Sequence, residues 1–565
     1  MNKIKKAFYK ILIIIVIASG LGLYGQNKTE YMNPILAGFF PDPTICRVDD
    51  NYYLVNSTFA YYPGLPIFLS KDLVNWKIIS YALNRPEQLN LDSAGVSRGL
   101  FAPTLRYDNG IFYLICTLID RGGNFIVTAK NPAGPWSDPI WLPQLNGIDP
   151  SLFFDDNGKS YIVYNSVPPD DKPLYDGHRT IRMYEFDHEN MKIKGEETIL
   201  VNGGVNINDK PVWIEAPHIL KKDGAYYLIC AEGGTAYNHS EVVFKSDKAE
   251  GPYVAFDKNP ILTQRTLNPD RPLPITSTGH ADFVQTQKGD WWAVFLGCRP
   301  YEDDYYNLGR ETFLAPVTWK DGWPVIVENG ELVKYSYPLP LETDKNFAGI
   351  ALGGDIEYTD NFDSDVLDMN WQFLRTVRET WYSLSAKKGS LELSVRPETC
   401  SGNMNPSFVC RRQQHNNSSA TTALLFDAKS ENEKAGLVIF QNETHYYFIC
   451  KSVDNNEPVV QLYKSGDKND ELELLVSKKI NKQNTKESVY LNIESKGKYY
   501  SFSYGFDQNK MILLKDSVDG KFLSTKTAGG FVGCMYALYS TSLGKKCANK
   551  AYFDWFRYKG KNEIK

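Results

Sequence analysis

A hairpin pattern that occurs five times between residues 42 and 296 constrains the fold of this chain more than any other feature. Each copy begins with a short apolar strand, continues through a polar turn rich in Asp, Asn, Gly or Lys, and ends in a second strand rich in apolar and aromatic residues. That order is typical of a β-hairpin. The copies read DPTICRVDDNYYLVNS from Asp42, APTLRYDNGIFYLICT from Ala102, DPSLFFDDNGKSYIVYN from Asp149, APHILKKDGAYYLICA from Ala216 and ADFVQTQKGDWWAVFL from Ala281.

Each hairpin is followed by a looser unit that again has the pattern strand, turn, strand. These units read IFLSKDLVNWKII, IVTAKNPAGPWSDPIWL, IRMYEFDHENMKI, VVFKSDKAEGPYVAF and TFLAPVTWKDGWPVI. A repeat therefore contributes about four strands, and four-stranded units repeated around an axis form a β-propeller. The sequence predicts an all-β fold whose first part, residues 30–334, is a five-bladed β-propeller. A β-sandwich is the alternative, but it has no reason to repeat one hairpin five times.

The pattern changes in the last third of the chain. Residues 335–356 contain turn residues without a repeat and are predicted to be a linker. Beyond them, segments such as SLELSVRP and ESVYLNIES alternate apolar and polar residues over the length of a strand. Strands of this kind, separated by turns, predict a jelly-roll β-sandwich of the lectin-like type over residues 357–562.

The N-terminus has the features of a secretory signal. Four lysines within the first ten residues precede the apolar run 11–23, which is short for a membrane span. We predict a cleavable signal peptide at residues 1–25, a periplasmic or secreted location, and no membrane association after cleavage. A single anchoring helix is the alternative.

Composition restricts the partners. The net charge of −5 shows no basic excess, so nucleic acid is not an expected partner and a neutral polymer fits better. The chain has no HExxH or CxxC motif, and no zinc site is expected. No feature indicates an oligomeric state.

The repeat brings distant residues to one place. The innermost strand of each propeller blade begins near one mouth of the central axis, so the starts of the hairpins converge on one pocket. Aligned by their turns, the hairpins put Asp42, Ala102, Asp149, Ala216 and Ala281 in one slot, and Pro41, Phe101, Ile148, Glu215 and His280 in the slot before it. Three of these ten residues, Asp42, Asp149 and Glu215, are carboxylic acids.

Three carboxyl groups in one pocket suit the hydrolysis of a glycosidic bond. One must be protonated to donate to the leaving oxygen, another must be ionised to activate water, and a third negative charge raises the pKa of the acid. The alternative is that Asp-Pro and Glu-Ala-Pro only form turns before strands. A turn is a sufficient explanation for one such residue. It does not explain three carboxylic acids in equivalent slots, because like charges gathered at an axis destabilise the fold unless they serve a function.

The motifs FFPDPTICR, GIDPSLFFDDNGKSYIVYN, WIEAPHIL, STGHADFVQT and LGRETFLAPVTWKDGWP, in this order, resemble glycoside hydrolase family 43. The resemblance covers about residues 33–329, and the sequence after them is similar to the C-terminal domain of the family's two-domain members. It implies a five-bladed propeller that hydrolyses arabinofuranosyl or xylosyl bonds with inversion. It also implies Asp42 as general base, Glu215 as general acid, and Asp149 as the residue that orients Glu215 and raises its pKa.

The resemblance implies further residues around the sugar. Phe59 is expected to form an aromatic wall, with a core aromatic as the alternative, and Thr235 to lie near the acid. Arg310 is expected to reach the carboxylates as a fixed cation. His280 is expected to face the cavity and hold water or, in some members, a structural calcium ion through water, because calcium prefers direct oxygen ligands. No cofactor is expected to be required.

The sandwich is expected mainly to support the propeller and to lend a loop to the rim of the active site. Residues 400–415 are the candidate loop, with Phe408 as its contributor. A carbohydrate-binding role for the sandwich is the alternative.

The expected activity is exo-acting release of single non-reducing-end α-L-arabinofuranosyl residues from plant hemicellulose or its oligosaccharides. Phe101 and Ala102 lie where xylosidase-like members carry Trp-Ala, and Ile148 lies where they often have an aromatic residue. A β-D-xylosidase, or an enzyme with both activities, is the first alternative. A non-catalytic glycan-binding propeller and a retaining fructan hydrolase are the others. Inversion predicts a separation of about 6.5 to 9.5 Å between the carboxyl groups of Asp42 and Glu215.

Overall fold

The computed structural model describes residues 29–466, 471–481 and 487–562. The predicted signal peptide therefore lies outside the described residues. Within them the chain is almost entirely β-structure, in two parts. No helix in these ranges is long and apolar enough to cross a membrane.

The first part is the predicted five-bladed propeller. Each blade is an antiparallel sheet whose strands follow in chain order, and the innermost strands contact one another in a closed ring. Blade 1 contains Thr44–Val48, Asn51–Val55, Gly64–Ser70 and Lys77–Leu83; blade 2 contains Thr104–Asp108, Ile111–Leu118, Gly123–Ala129 and Ile140–Trp141; blade 3 contains Gly147–Phe154, Ser160–Ser166, Thr180–Asp187 and Lys192–Asn202. Blade 4 contains Glu215–Lys222, Ala225–Glu232, Ser240–Ser246 and Val254–Ala255, with Leu262–Thr263 as an additional strand; blade 5 contains Thr276–Gln285, Trp291–Cys298, Glu311–Lys320 and Trp323–Val325.

The two ends of the propeller are tied together. Strand Glu30–Met32 pairs with Ser336–Pro338, which lies within the segment predicted as a linker. The fully buried Asn33 side chain donates to the Leu314 carbonyl at 2.8 Å and accepts from the Leu314 N–H at 2.9 Å, which fixes the first residues to blade 5. The segment after residue 338 stays on the propeller, where Ile350 bridges to Trp76.

The second part is a β-sandwich of two sheets. In order across the sheet, the first contains Tyr382–Ser383, Leu391–Ser394, Lys550–Lys561, Asn417–Leu425, Val489–Lys496, Tyr499–Gly505 and Ile512–Asp519, with Ile356–Asp360 also pairing to Lys550–Lys561. The second contains Leu472–Lys479, Glu457–Ser465, His445–Asp454, Lys434–Asn442, Met535–Thr541, Ser407–Arg412, Gln372–Leu374 and Tyr61–Tyr62. The described helical turns are Pro169–Asp171, Ile207–Asp209, Gly520–Leu523 and Thr525–Ala528.

The propeller and the sandwich share a sheet. Strand Tyr61–Tyr62 comes from the propeller and pairs with Phe373 and Leu374 at the edge of the second sandwich sheet. Beside it the fully buried Arg375 forms an ion pair with Glu443 and donates to the propeller carbonyl of Ala94. The two parts therefore have a continuous core and a common hydrogen-bonded ladder.

Candidate active site

The mouth of the propeller axis is built from β-bulges. In blades 3, 4 and 5 the pairing of the innermost strand skips two residues, after Ile148, Glu215 and Gly279 respectively. The first skipped residue has a left-handed backbone in each case: φ is 52° at Asp149, 51° at Ala216 and 56° at His280. Asp42 has the same conformation, with φ of 51°, two residues before the first strand of blade 1. Bulges of this kind re-aim side chains at functional sites.

These bulges correct the fifth slot of the sequence alignment. The structure places His280, rather than Ala281, in the position equivalent to Asp42 and Asp149. The first four hairpins carry a proline one residue after this position, whereas the fifth reads His-Ala-Asp. Because the fifth hairpin lacks this proline, alignment by the turns alone places it one residue out of register.

A cavity of about 440 Å³ opens at this mouth. It brings together ten of the eleven residues predicted for the site: Asp42, Phe59, Phe101, Ala102, Ile148, Asp149, Glu215, Thr235, His280 and Arg310. It is also lined by four residues that the sequence did not single out: Val212, Trp213, Gly234 and Phe531. The three carboxyl groups are buried at its base.

Asp42 is held from three sides. The Ser57 hydroxyl donates to its Oδ2, while Arg310 Nη1 and His280 Nδ1 each lie 3.7 Å from its Oδ1. Burial lowers the pKa of His280, so its ring is neutral at neutral pH. Arg310 is therefore the fixed positive charge beside this carboxylate.

Asp149 and Glu215 form the proton-holding pair of the cavity. Burial raises the pKa of Asp149 well above its ordinary value, and the charges of Glu215 and Asp42 raise it further. Burial also raises the pKa of Glu215 to about 7, which Arg310 opposes and Asp42 reinforces. The Asp149 carboxyl accepts a hydrogen bond from the backbone N–H of Ala216, the neighbour of Glu215. The pair therefore retains a proton near neutral pH, where an acid catalyst needs one.

Arg310 links the carboxylates to the cavity wall. Its Nη2 donates to the carbonyl of Thr235 at 2.8 Å, so Thr235 contributes its backbone to this contact. Its guanidinium carbon lies 5.1 Å from the centre of the Phe531 ring. Both contacts hold the guanidinium in place beside Asp42.

The sandwich supplies one wall of the cavity through Phe531. This ring stacks on Phe59, with centroids 5.9 Å apart and an angle of 21°, and meets Phe101 edge-on at 6.2 Å. Its backbone N–H donates to the Ser97 hydroxyl at 2.9 Å. A Cβ on the neighbouring Gly530 would lie 2.2 Å from that hydroxyl oxygen, so glycine is required for the close approach.

The prediction that Phe408 contributes to the rim was wrong. Phe408 lies in strand Ser407–Arg412, which is paired on both sides, and its side chain is fully buried against Phe440 and Tyr539. A residue in the middle of a sandwich sheet cannot reach the propeller axis. The signal for Phe531 was the segment GGFVG, in which an aromatic residue stands between glycines in a turn.

A second polar layer crosses the axis deeper than the carboxylates. Further along the innermost strands, Arg106 forms two hydrogen bonds to Asp282, at 2.8 and 3.0 Å. Thr44 donates to the same carboxylate at 2.8 Å, and His218 lies 3.1 Å from the Arg106 guanidinium. These four side chains come from blades 1, 2, 4 and 5 and connect them across the axis.

Comparison with known proteins identifies the family. The sequence model described as glycosyl hydrolases family 43 matches residues 31–324. The chain belongs to glycosyl hydrolase family 43. A second model, described as the beta xylosidase C-terminal concanavalin A-like domain, matches residues 359–559. As a member of family 43, the chain is a glycosidase that hydrolyses glycosidic bonds.

Similar family 43 proteins extend over nearly the whole chain. A xylosidase/arabinosidase from Butyrivibrio fibrisolvens is 38% identical over 93% of this chain and 98% of its own length. A non-reducing end alpha-L-arabinofuranosidase from Bacteroides ovatus is 37% identical over 97% of this chain and 98% of its own length. Among solved structures, a family 43 protein from a capybara gut metagenome is 39% identical, with a TM-score of 0.84, over 92% of this chain and 97% of its own. The two-part architecture is therefore shared with these relatives.

Proposed function

We propose that this protein is an inverting, exo-acting α-L-arabinofuranosidase that removes single non-reducing-end residues from plant hemicellulose or its oligosaccharides. The observation that carries the proposal is a cavity with three buried carboxyl groups at its base and aromatic rings from both domains in its wall. A cavity closed at the base fits the end of a chain better than its middle.

In this proposal, Glu215 is the general acid and Asp42 the general base. Burial and the charge of Asp42 favour the protonated form of Glu215, while the Arg310 guanidinium lies 3.7 Å from the Asp42 carboxyl group as a fixed cation. Asp149 positions Glu215 through the Ala216 N–H. Water held by Asp42 attacks the anomeric carbon as Glu215 protonates the leaving oxygen, so one step inverts the configuration.

A β-D-xylosidase is the second candidate, and a dual activity would include both. Relatives with both names support it: the protein from Butyrivibrio fibrisolvens is named for xylosidase and arabinosidase, and one from Bacillus subtilis, 32% identical over 94% of this chain, is named a beta-xylosidase. Phe101 and Ile148 in the cavity wall favour the arabinofuranosidase, because xylosidase-like members of the family carry Trp at the position of Phe101 and often an aromatic residue at the position of Ile148.

The deciding experiment compares 4-nitrophenyl α-L-arabinofuranoside with 4-nitrophenyl β-D-xyloside, followed by arabinoxylan, arabinan and xyloglucan oligosaccharides. We expect a higher kcat/KM on the arabinofuranoside and release of arabinose alone. A higher value on the xyloside would establish the second candidate. Turnover of neither class would refute both, and NMR of the first-formed anomer tests inversion.

The proposed location is the periplasm or the exterior of the cell, after removal of residues 1–25. N-terminal sequencing of the mature protein tests the cleavage. For calcium, the described residues contain no group of three or more His, Cys, Asp or Glu side chains suited to a metal. His280 offers a nitrogen atom, which calcium disfavours. These residues do not fit a direct calcium site, and activity is expected to be unchanged after treatment with a chelator.

A further inference from the structure

A second cavity adjoins the catalytic cavity across the side chain of Trp213. Its volume is about 770 Å³, and it is lined mainly by residues between 167 and 179. Trp213 lines both cavities and is therefore their common wall. It precedes Glu215 by two residues, so the second cavity lies on the side of the proposed acid.

The backbone of Trp213 is held in a strained conformation. Its φ is +57°, in the left-handed region that L-residues other than Asn and Asp rarely occupy. Its N–H donates to the Gly177 carbonyl at 2.8 Å, and the Val212 carbonyl before it accepts from the N–H groups of Gly233 and Gly234, each at 2.9 Å. Strain maintained by several hydrogen bonds is characteristic of ligand-positioning residues.

Arg179 covers the indole of Trp213. Its guanidinium carbon lies 3.8 Å from the centre of the ring, which is a stacked cation–π contact. Burial lowers the pKa of Arg179, and the charge of Glu215 opposes this effect. No carboxylate in the described ranges forms an ion pair with this guanidinium, so its N–H groups remain available to a ligand.

The rest of the cavity is a preformed surface. The rings of Tyr175 and His178 stack with centroids 4.9 Å apart. Tyr175 donates to the Gly203 carbonyl at 3.0 Å, and His178 Nε2 lies 2.7 Å from Asn202 Oδ1. Leu174 at the rim is 70% exposed. Hydrogen bonds thus fix the rings of Tyr175 and His178 in the cavity wall, and the exposed apolar side chain of Leu174 lies at its rim.

We propose that this second cavity binds the leaving-group sugars of the substrate, with the Trp213 indole and the Arg179 guanidinium as the platform. The inference rests on the proposed function. An inverting enzyme holds its water on the side of the base, so the bond to the leaving group faces the acid. From Glu215 the leaving group passes over Trp213. The expected ligand is a neutral oligosaccharide that packs against the stack formed by the Trp213 indole and the Arg179 guanidinium, and whose hydroxyl groups accept hydrogen bonds from Arg179.

The test uses Arg179→Ala and Trp213→Phe with two substrate classes. One is 4-nitrophenyl α-L-arabinofuranoside, whose leaving group has no sugar to bind at the platform and departs with little need for protonation by the acid. The other is a series of xylo-oligosaccharides of one to four units that carry an arabinofuranosyl residue. Wild-type kcat/KM is expected to rise with the length of the leaving group. Arg179→Ala should reduce kcat/KM on the longer substrates by about tenfold or more and abolish the length dependence.

Two controls separate the outcomes. Lys172→Ala removes an exposed cation from the same loop, outside the cavity lining, and should change neither substrate class. Trp213→Phe keeps an aromatic face and loses the indole N–H, which lowers the pKa of Glu215. This variant should retain the length dependence and move the alkaline limb of kcat/KM to higher pH.

The inference is overturned if Arg179→Ala lowers kcat/KM equally on the aryl and the oligosaccharide substrates, or if wild-type rates do not depend on length. Loss of all aryl glycoside turnover by the wild type would instead refute the proposed function. In that case calorimetric titration with free xylotetraose still tests the platform. Equal binding by the wild type and Arg179→Ala, or no binding by either, would then reject it.

Discussion

Replacing Phe531 with alanine tests whether the sandwich completes the active site. Phe531 stacks on Phe59, meets Phe101 edge-on and lies against the Arg310 guanidinium. An aromatic pair contributes about 0.5–1.5 kcal/mol and a cation–π pair about 0.5–2 kcal/mol, so two aromatic pairs and one cation–π pair are worth about 1.5–5 kcal/mol together. Alanine would admit water on this side and release the cation that faces Asp42. If about half of that energy serves the transition state, kcat/KM falls by about 4- to 70-fold.

The assay measures kcat/KM on an arabinofuranosyl oligosaccharide and, in parallel, unfolding in urea. The matched control is Phe408→Leu, which alters a sandwich phenylalanine that is buried away from the cavity. It should cost about 1 kcal/mol of stability and leave kcat/KM unchanged. The reasoning is refuted if folded Phe531→Ala retains kcat/KM within about twofold of the wild type, because such a loss is below 0.5 kcal/mol.

Three further predictions concern the acid, the pH profile and the domain interface. Glu215→Ala should lose more activity on an oligosaccharide than on 4-nitrophenyl arabinofuranoside, because only the former needs protonation; equal losses would exclude Glu215 as the acid. With Glu215 near pKa 7, kcat/KM should fall as pH rises through about 7, and Arg310→Gln, which removes a charge that lowers this pKa, should move that limb to higher pH. Arg375→Met removes a fully buried cation from the partly buried Glu443 and should cost about 3–5 kcal/mol in urea unfolding, whereas a loss below about 1 kcal/mol would show that the ion pair contributes little.

The propeller could be predicted because the sequence pattern that specifies each blade is local and occurs five times. Each hairpin carries its own strand pattern and turn, and five copies fix the number of blades. The carboxylate cluster followed from that symmetry, since Asp42, Asp149 and Glu215 occupy corresponding places at the starts of the blades. His280 was aligned one residue out of register because the bulge in blade 5 lacks the proline that marks the others.

The parts of the site that sequence reasoning missed depend on contacts between distant segments. Phe531 reaches the cavity only because glycine beside it allows the turn to meet Ser97 in the propeller. Trp213 is positioned by a backbone hydrogen bond to Gly177, which is far from it in the chain. Neither contact leaves a periodic pattern, so strand and turn signals could not reveal it.

The polar layer that crosses the axis has a kinetic consequence for an enzyme that acts on chain ends. The hydrogen-bonded connection of Arg106, Asp282, Thr44 and His218 lies deeper along the axis than the carboxylates and joins four of the five blades across it, so we expect products to leave through the mouth. After cleavage, the freed monosaccharide lies between this layer and the departing oligosaccharide. The oligosaccharide must therefore leave first and the monosaccharide second, through the same mouth. Free monosaccharide then competes with substrate for the empty enzyme, and its accumulation slows the next turnover.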